Sequence, residues 1–285
     1  MLNIIGRQLS LRPMQKSKKR NWPRMINIFL ISYFILGAAF YYFNERLIFR
    51  ATPLDIDYKF GFDQPFREIN LAISEKKNLN IVQFTVADSV PKGVVLYFHG
   101  NTQNIERYAK YAKNFTPYGY EVWMIDYPGY GKTTGPRSEE IMYADAVEMY
   151  KMARSKFNKS NILLYGKSLG TGIASYIAST RDCKQLILET PYYSMDDVVR
   201  KYAFMYPLSI LSKFHFPSYK YFKNIEVPIT IFHGTNDAVI SYRNAKRLMK
   251  IAPEGSVLIT LPKGEHNNIA SFELYKKTLD SLLKR

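Results

Sequence analysis

The sequence predicts an α/β fold, a mostly parallel sheet with helices on both faces, preceded by one transmembrane helix. Three observations carry that expectation. From about residue 66, short apolar, β-branched runs alternate with segments of helical spacing, the pattern of strand–helix crossovers. The runs are apolar without a break, as in strands covered on both faces. Residues 25–43, MINIFLISYFILGAAFYYF, contain no charge in 19 positions, about 28 Å as a helix and enough to span a hydrocarbon core.

The first element is a basic tail. Residues 1–24 carry seven Lys or Arg and no acid, so the formal charge of +16 divides into +7 there and +9 over the remainder, with 33 basic against 24 acidic side chains. A basic surface suits nucleic acid or an anionic membrane, and no recognition-helix, zinc-finger or RNP-like motif supports the first. The second element, 25–43, has Trp22, Tyr41 and Tyr42 at its ends, residues suited to the interfacial belts. Seven basic residues precede it, against Arg46 and Arg50 just after. The positive-inside rule then leaves the N-terminus in the cytoplasm and puts residues 44–285 on the extracytoplasmic side. A cleaved signal peptide is the rival, with Gly37-Ala38-Ala39 as its site, but the long basic region and long apolar stretch favour a retained single-pass anchor.

Residues 44–285 form one catalytic-sized domain. REINLAI (67–73) and NIVQFTVA (80–87) read as an antiparallel opening pair. GVVLYF (93–98), YEVWMID (120–126), NILLY (161–165), QLILE (185–189), VPITIF (227–232) and SVLITL (256–261) complete eight strands. Residues 137–157, 241–252 and 268–283 have helical spacing between or after them. Residues 191–224 interrupt this rhythm with ten Tyr or Phe in 34 positions, a cap-like insertion that suits either packed helices or a lid over an apolar pocket. Cys183 is the single cysteine, which excludes an internal disulfide. Four histidines without HExxH spacing give no metal signature. No cofactor is expected.

In such sheets ligands sit beyond the carboxyl ends of strands, and two loops there read alike, YGKTTG (130–135) and YGKSLG (165–170). A nucleotide-binding P-loop needs a glycine five positions before its Gly-Lys, where this chain has Asp126 and Asn161. That reading fails twice. The second loop instead spells Gly-x-Ser-x-Gly at 166–170 between a strand and a helix-capable run, the turn that presents a nucleophilic serine. Ser168 is the candidate nucleophile, with the Leu169 amide facing a developing oxyanion. Its partners should follow in the order acid, then histidine. Asp237 in FHGTNDAVI and His266 in KGEHNN lie just beyond the last two strands. Glu189, ending QLILE, is the rival acid. His99-Gly100-Asn101 after the strand 93–98 offers the Asn101 amide as second oxyanion donor. His99, His215 and His233 read as structural, His99 as a brace for that loop, and 126–132 as a rigid turn at the pocket rim.

The ordered set FHGN (98–101), DYPGYGKTTG (126–135), YGKSLG (165–170), ETPYYSM (189–195), FHGTNDAVI (232–240) and GEHNN (264–268) resembles the α/β-hydrolases of the BEM46/ABHD13-like group, related to the serine aminopeptidase S33 domain. The resemblance covers roughly 47–285. It implies the α/β-hydrolase fold with an eight-stranded sheet and a Ser168–Asp237–His266 triad, and similar proteins often carry an N-terminal anchor. One departure is Glu265, where the family commonly has glycine before the histidine. A carboxylate there would weaken His266 as a base unless it points away. The expectation is a membrane-anchored serine hydrolase for carboxyl esters or thioesters, acyl or lipid-like. The alternatives are an amidase or peptidase of the same fold, or a non-catalytic membrane-anchored binding protein.

Overall fold

The computed structural model describes residues 21–86 and 90–284, so most of the basic tail expected over 1–24 lies outside the described residues. Helix α1 runs Trp22–Ile48 over 27 residues and is long and apolar enough to cross a membrane. The chain divides between Phe40 and Tyr41 into two compact units. The second takes in the last two turns of α1, because Asn44 and Ile48, four apart on one helix face, are buried in it together with Phe49.

The larger unit is built on eight strands: β1 (Phe66–Ser74), β2 (Lys77–Phe84), β3 (Gly93–Phe98), β4 (Tyr120–Ile125), β5 (Ile162–Lys167), β6 (Gln185–Glu189), β7 (Ile229–Gly234) and β8 (Val257–Leu261). Their order across the sheet is β8-β7-β6-β5-β3-β4-β2-β1. The opening pair β1–β2 is antiparallel, as is β2–β4, and every other pairing is parallel. The chain order reverses at β3, with β5 on one side and β4 on the other, which opens the crevice where ligands bind in such sheets. β3, β4, β5 and β7 are buried throughout. Edge strand β8 is partly exposed, so its apolar run is covered less fully than its sequence implies.

Helices cover both faces. α3 (Glu139–Lys156), α4 (Gly170–Thr180) and α8 (Arg243–Met249) share one apolar cluster with the sheet, and α9 (Glu273–Lys284) lies in the other. The start of α3 is fixed by Ser138, whose Oγ accepts from the Ile141 amide at 3.2 Å. Its acids lie in the first turn and its bases in the last, opposing the helix dipole. The run expected as one helix over 268–283 begins as a single 3-10 turn, Ile269–Ser271, before α9. A short α2 (Ile105–Tyr108) follows β3. The insertion 191–224 folds into α5 (Met195–Val199), α6 (Leu208–Leu211), α7 (Ser218–Tyr221) and a final 3-10 turn. Its aromatics divide: Tyr192, Phe214, Phe216 and Phe222 are buried in the core, while Tyr202 and Phe204 face outward.

Candidate active site

Ser168 stands between β5 and α4 with φ +49°, left-handed backbone that side chains with a Cβ rarely adopt. Two glycines make room for the turn. A Cβ on Gly170 would lie 2.0 Å from the Phe98 carbonyl oxygen, and one on Gly166 would lie 2.7 Å from that of Gly170. The strand and helix therefore meet backbone to backbone, with Ser168 at their junction.

Ser168 Oγ lies 2.9 Å from His266 Nε2, and His266 Nδ1 lies 2.7 Å from Asp237 Oδ2. A carboxylate cannot donate, so Nδ1 carries the proton and Nε2 accepts from the serine hydroxyl. Asp237 Oδ1 accepts from the amides of Val239 and Ile240, each at 2.8 Å. His233 Nε2 stands 3.4 Å from Oδ2. Burial alone would raise the Asp237 pKa, but the hydrogen bonds of His233 and His266 outweigh it and hold the carboxyl well below the usual carboxylate range. Glu189, the rival acid, is turned elsewhere: it pairs with Lys167 and accepts from Tyr165 Oη at 2.6 Å. Glu265 is exposed, and its amide donates to Asn268 Oδ1 at 2.8 Å.

The loop after β3 passes beside the serine, since a Cβ on Gly100 would lie 3.6 Å from that of Ser168. Among the described residues, no hydrogen bond engages the amides of Asn101 or Leu169. The loop is held from three sides. His99 contacts the Gly100 carbonyl through Nδ1 (2.7 Å) and Asp126 Oδ1 through Nε2 (3.1 Å). Tyr127 and Tyr130, in the turn 126–132, donate to the carbonyls of His99 and Asn101 at 2.7 and 2.9 Å. Burial pushes the Asp126 pKa up, against the hydrogen bond from His99. On the third side, Asn101 Nδ2 donates to the Ile48 carbonyl at the end of α1 (2.8 Å), and the Arg50 amide donates to the Asn101 carbonyl (2.9 Å). Residues 50–51 and 102–103 continue this seam as a two-residue parallel ladder.

The paired YGK loops resolve alike in one respect. Lys132 is buried against Glu68 at 2.7 Å, and Lys167 against Glu189, so neither ammonium is available to a phosphate. In register, Lys167 faces Glu189 on the next strand. Sequence reasoning missed that pair, the His233–Asp237 contact and the Asn101–Ile48 link. The His233–Asp237 spacing of four was the one available signal. Among the described residues no group of three His, Cys, Asp or Glu is arranged to hold a metal ion. Two surface clefts, about 680 and 530 Å³, lie at the amino ends of β5–β8 and include none of Ser168, Asp237 or His266.

This sheet order, with a strained serine turn after β5, is the α/β-hydrolase architecture. A sequence-family model described as "Serine aminopeptidase, S33" matches residues 89–221. The chain is similar to the α/β-hydrolase domain-containing protein aho-3 of Caenorhabditis elegans, with 27% identity over 77% of this chain and 68% of that one. It is 29% identical to α/β-hydrolase domain-containing protein 17C of Xenopus tropicalis, over 66% of this chain and 59% of the relative. Lysophosphatidylserine lipase ABHD12 of the same organism is 28% identical, over 63% of this chain and 51% of its own length. The chain thus spans between about half and two thirds of these relatives. Among solved structures, the Pyrococcus furiosus esterase Pf2001 superposes with TM-score 0.63 at 17% identity, covering 83% of this chain and 97% of its own. Est1E of Butyrivibrio proteoclasticus, solved with ferulic acid, gives 0.58 at 16% identity over 73% of this chain and 93% of its own.

Proposed function

We propose that the chain is a membrane-anchored serine hydrolase that cleaves carboxyl esters or thioesters, acyl or lipid-like, through an acyl-enzyme. The observation that carries this reading is the unbroken line from Ser168 Oγ through His266 to Asp237 at hydrogen-bond distances. Ser168 Oγ attacks the carbonyl carbon as its proton passes to His266 Nε2, and ionised Asp237 stabilises the imidazolium. The amides of Leu169 and Asn101 donate to the oxyanion. The tetrahedral intermediate collapses as His266 protonates the leaving alcohol or thiol. Water, deprotonated by His266, then attacks the acyl carbon and releases the acid and the free serine.

The esterase and lipase names of the similar proteins support ester substrates, and the apolar α1 supports the anchor. The positive-inside rule favours a cytoplasmic N-terminus with the catalytic unit on the other side, which protease protection of sealed vesicles would test. The aminopeptidase description of the matched family favours a second reading, amide substrates. The deciding assay offers the detergent-solubilised full chain p-nitrophenyl esters of increasing acyl length beside the matching anilides. Ester turnover should exceed anilide turnover, and Ser168→Ala should lower it on the order of 10³-fold or more. A folded wild-type chain inert towards every ester would refute the esterase reading.

A further inference from the structure

We propose that the cap segment 200–213 is a second membrane contact, resting in the headgroup layer of an anionic bilayer beside the end of α1. This rests on the reading of α1 as an anchor and adds a surface to it.

The segment contains the most outward-facing large apolar side chains of the cap: Tyr202, Phe204 and Ile210 are 75%, 74% and 72% exposed. Their neighbours do not resemble an exposed core. From 198 to 225 the sequence holds five basic residues, Arg200, Lys201, Lys213, Lys220 and Lys223, and no acid. All five are exposed. Protruding aromatic and aliphatic groups interleaved with lysine and arginine are what an interfacial surface needs: the rings enter the acyl boundary and the cations meet lipid phosphates. An obligate protein interface would instead be depleted of lysine at its core.

The place of the segment points to the same occupant. Its far end is fastened to the last turns of α1. Asn44 Nδ2 donates to the Leu211 carbonyl at 3.0 Å, Lys213 Nζ lies 4.8 Å from the centre of the Tyr41 ring, and Phe49 packs edge-on against Phe214 at 4.6 Å. The uncharged run 25–43 ends one residue before Asn44; Tyr42 and Phe43 at its end, and Leu47 just beyond it, are exposed. No linker separates the two surfaces. A residue one position from Leu211, such as Ile210, is therefore held beside the aromatic exit of α1. A bilayer that receives Tyr42 and Phe43 has its headgroup layer at the cap.

Depth-dependent quenching of the full chain in nanodiscs tests this. Single cysteines, Phe34→Cys, Phe204→Cys, Ile210→Cys and Lys151→Cys, are labelled with bimane and exposed to nitroxide lipids. The native Cys183 is buried, with its thiol pushed up to about 12 by burial, and stays unlabelled. The expected result is strong quenching at 34, shallow quenching at 204 and 210, and none at 151. Quenching at 204 should be roughly threefold stronger with phosphatidylserine than with phosphatidylcholine alone, and Arg200→Glu/Lys213→Glu should abolish that difference. Quenching at 34 with none at 204 and 210 overturns the proposal while leaving the anchor intact. Absence at 34 with quenching at 204 removes the anchor reading and keeps the contact. Protection of 204 from lipid and water that depends on protein concentration would assign the face to a second copy of this chain and overturn the proposal.

Discussion

Ser168 holds φ +49°, where a residue with a Cβ costs of order 1–3 kcal/mol. Glycine relieves that strain and alanine does not. Ser168→Gly and Ser168→Ala should both be inactive, but the glycine variant should be more stable than the alanine variant by about 1 kcal/mol. Thermal unfolding of the two side by side checks this, and identical melting temperatures would mean the turn stores no strain. Asn101→Ala keeps the backbone amide and loses the Nδ2 bond to Ile48. Its kcat should fall about tenfold with KM little changed, because a displaced donor weakens the transition state more than the bound substrate. The pH dependence has a definite sign at Asp237. Its folded-state pKa is depressed, so its contribution to stability is complete above the ordinary aspartate value near about 4 and is lost as pH falls through the folded value. The stability gap between wild type and Asp237→Asn should shrink as pH falls below about 4 in denaturant titrations.

Among elements, the junction of β3, β5 and α4 has the least slack. The atoms facing Gly170 are backbone: a methyl group there would lie 2.0 Å from the Phe98 carbonyl oxygen and 2.8 Å from that of His99. Gly170→Ala should therefore cost about 3 kcal/mol or prevent folding, read as a fall in the denaturation midpoint. This junction was legible because its cause is local: a strand, two glycines, a serine and a helix within a dozen residues. Asp237 and His266 were legible for a related reason, as each follows its strand directly. The eight strands were also readable from their uninterrupted apolar runs. What escaped notice joins residues far apart. Lys132 finds Glu68 across 64 positions, and Asn101 finds Ile48 across 53; nothing in the local pattern marks either partner. The insertion was ambiguous for another reason. Phe214 and Phe204 are the same residue type in similar company, and only the path of the chain buries one and exposes the other.

For the whole molecule, Cys183 provides a simple probe of integrity. It is buried, and desolvation pushes its thiol up to about 12, so the thiolate is scarce near neutrality. The native chain should react negligibly with a thiol reagent at about pH 8 and release one equivalent in denaturant; rapid native labelling would reveal an opening around β6. The seam between residues 44–51 and the catalytic unit has a consequence for shedding. A peptidase cutting after Ala39 would leave Asn44, Ile48 and Arg50 bonded in place, and the released fragment would keep the loop that carries Asn101. A cut beyond Ile48 would free nearly the same fragment but remove the carbonyl that holds Asn101. If α1 anchors the chain as proposed, a fragment freed by proteolysis would keep the geometry of that loop when the cut falls before Ile48 and lose it when the cut falls beyond.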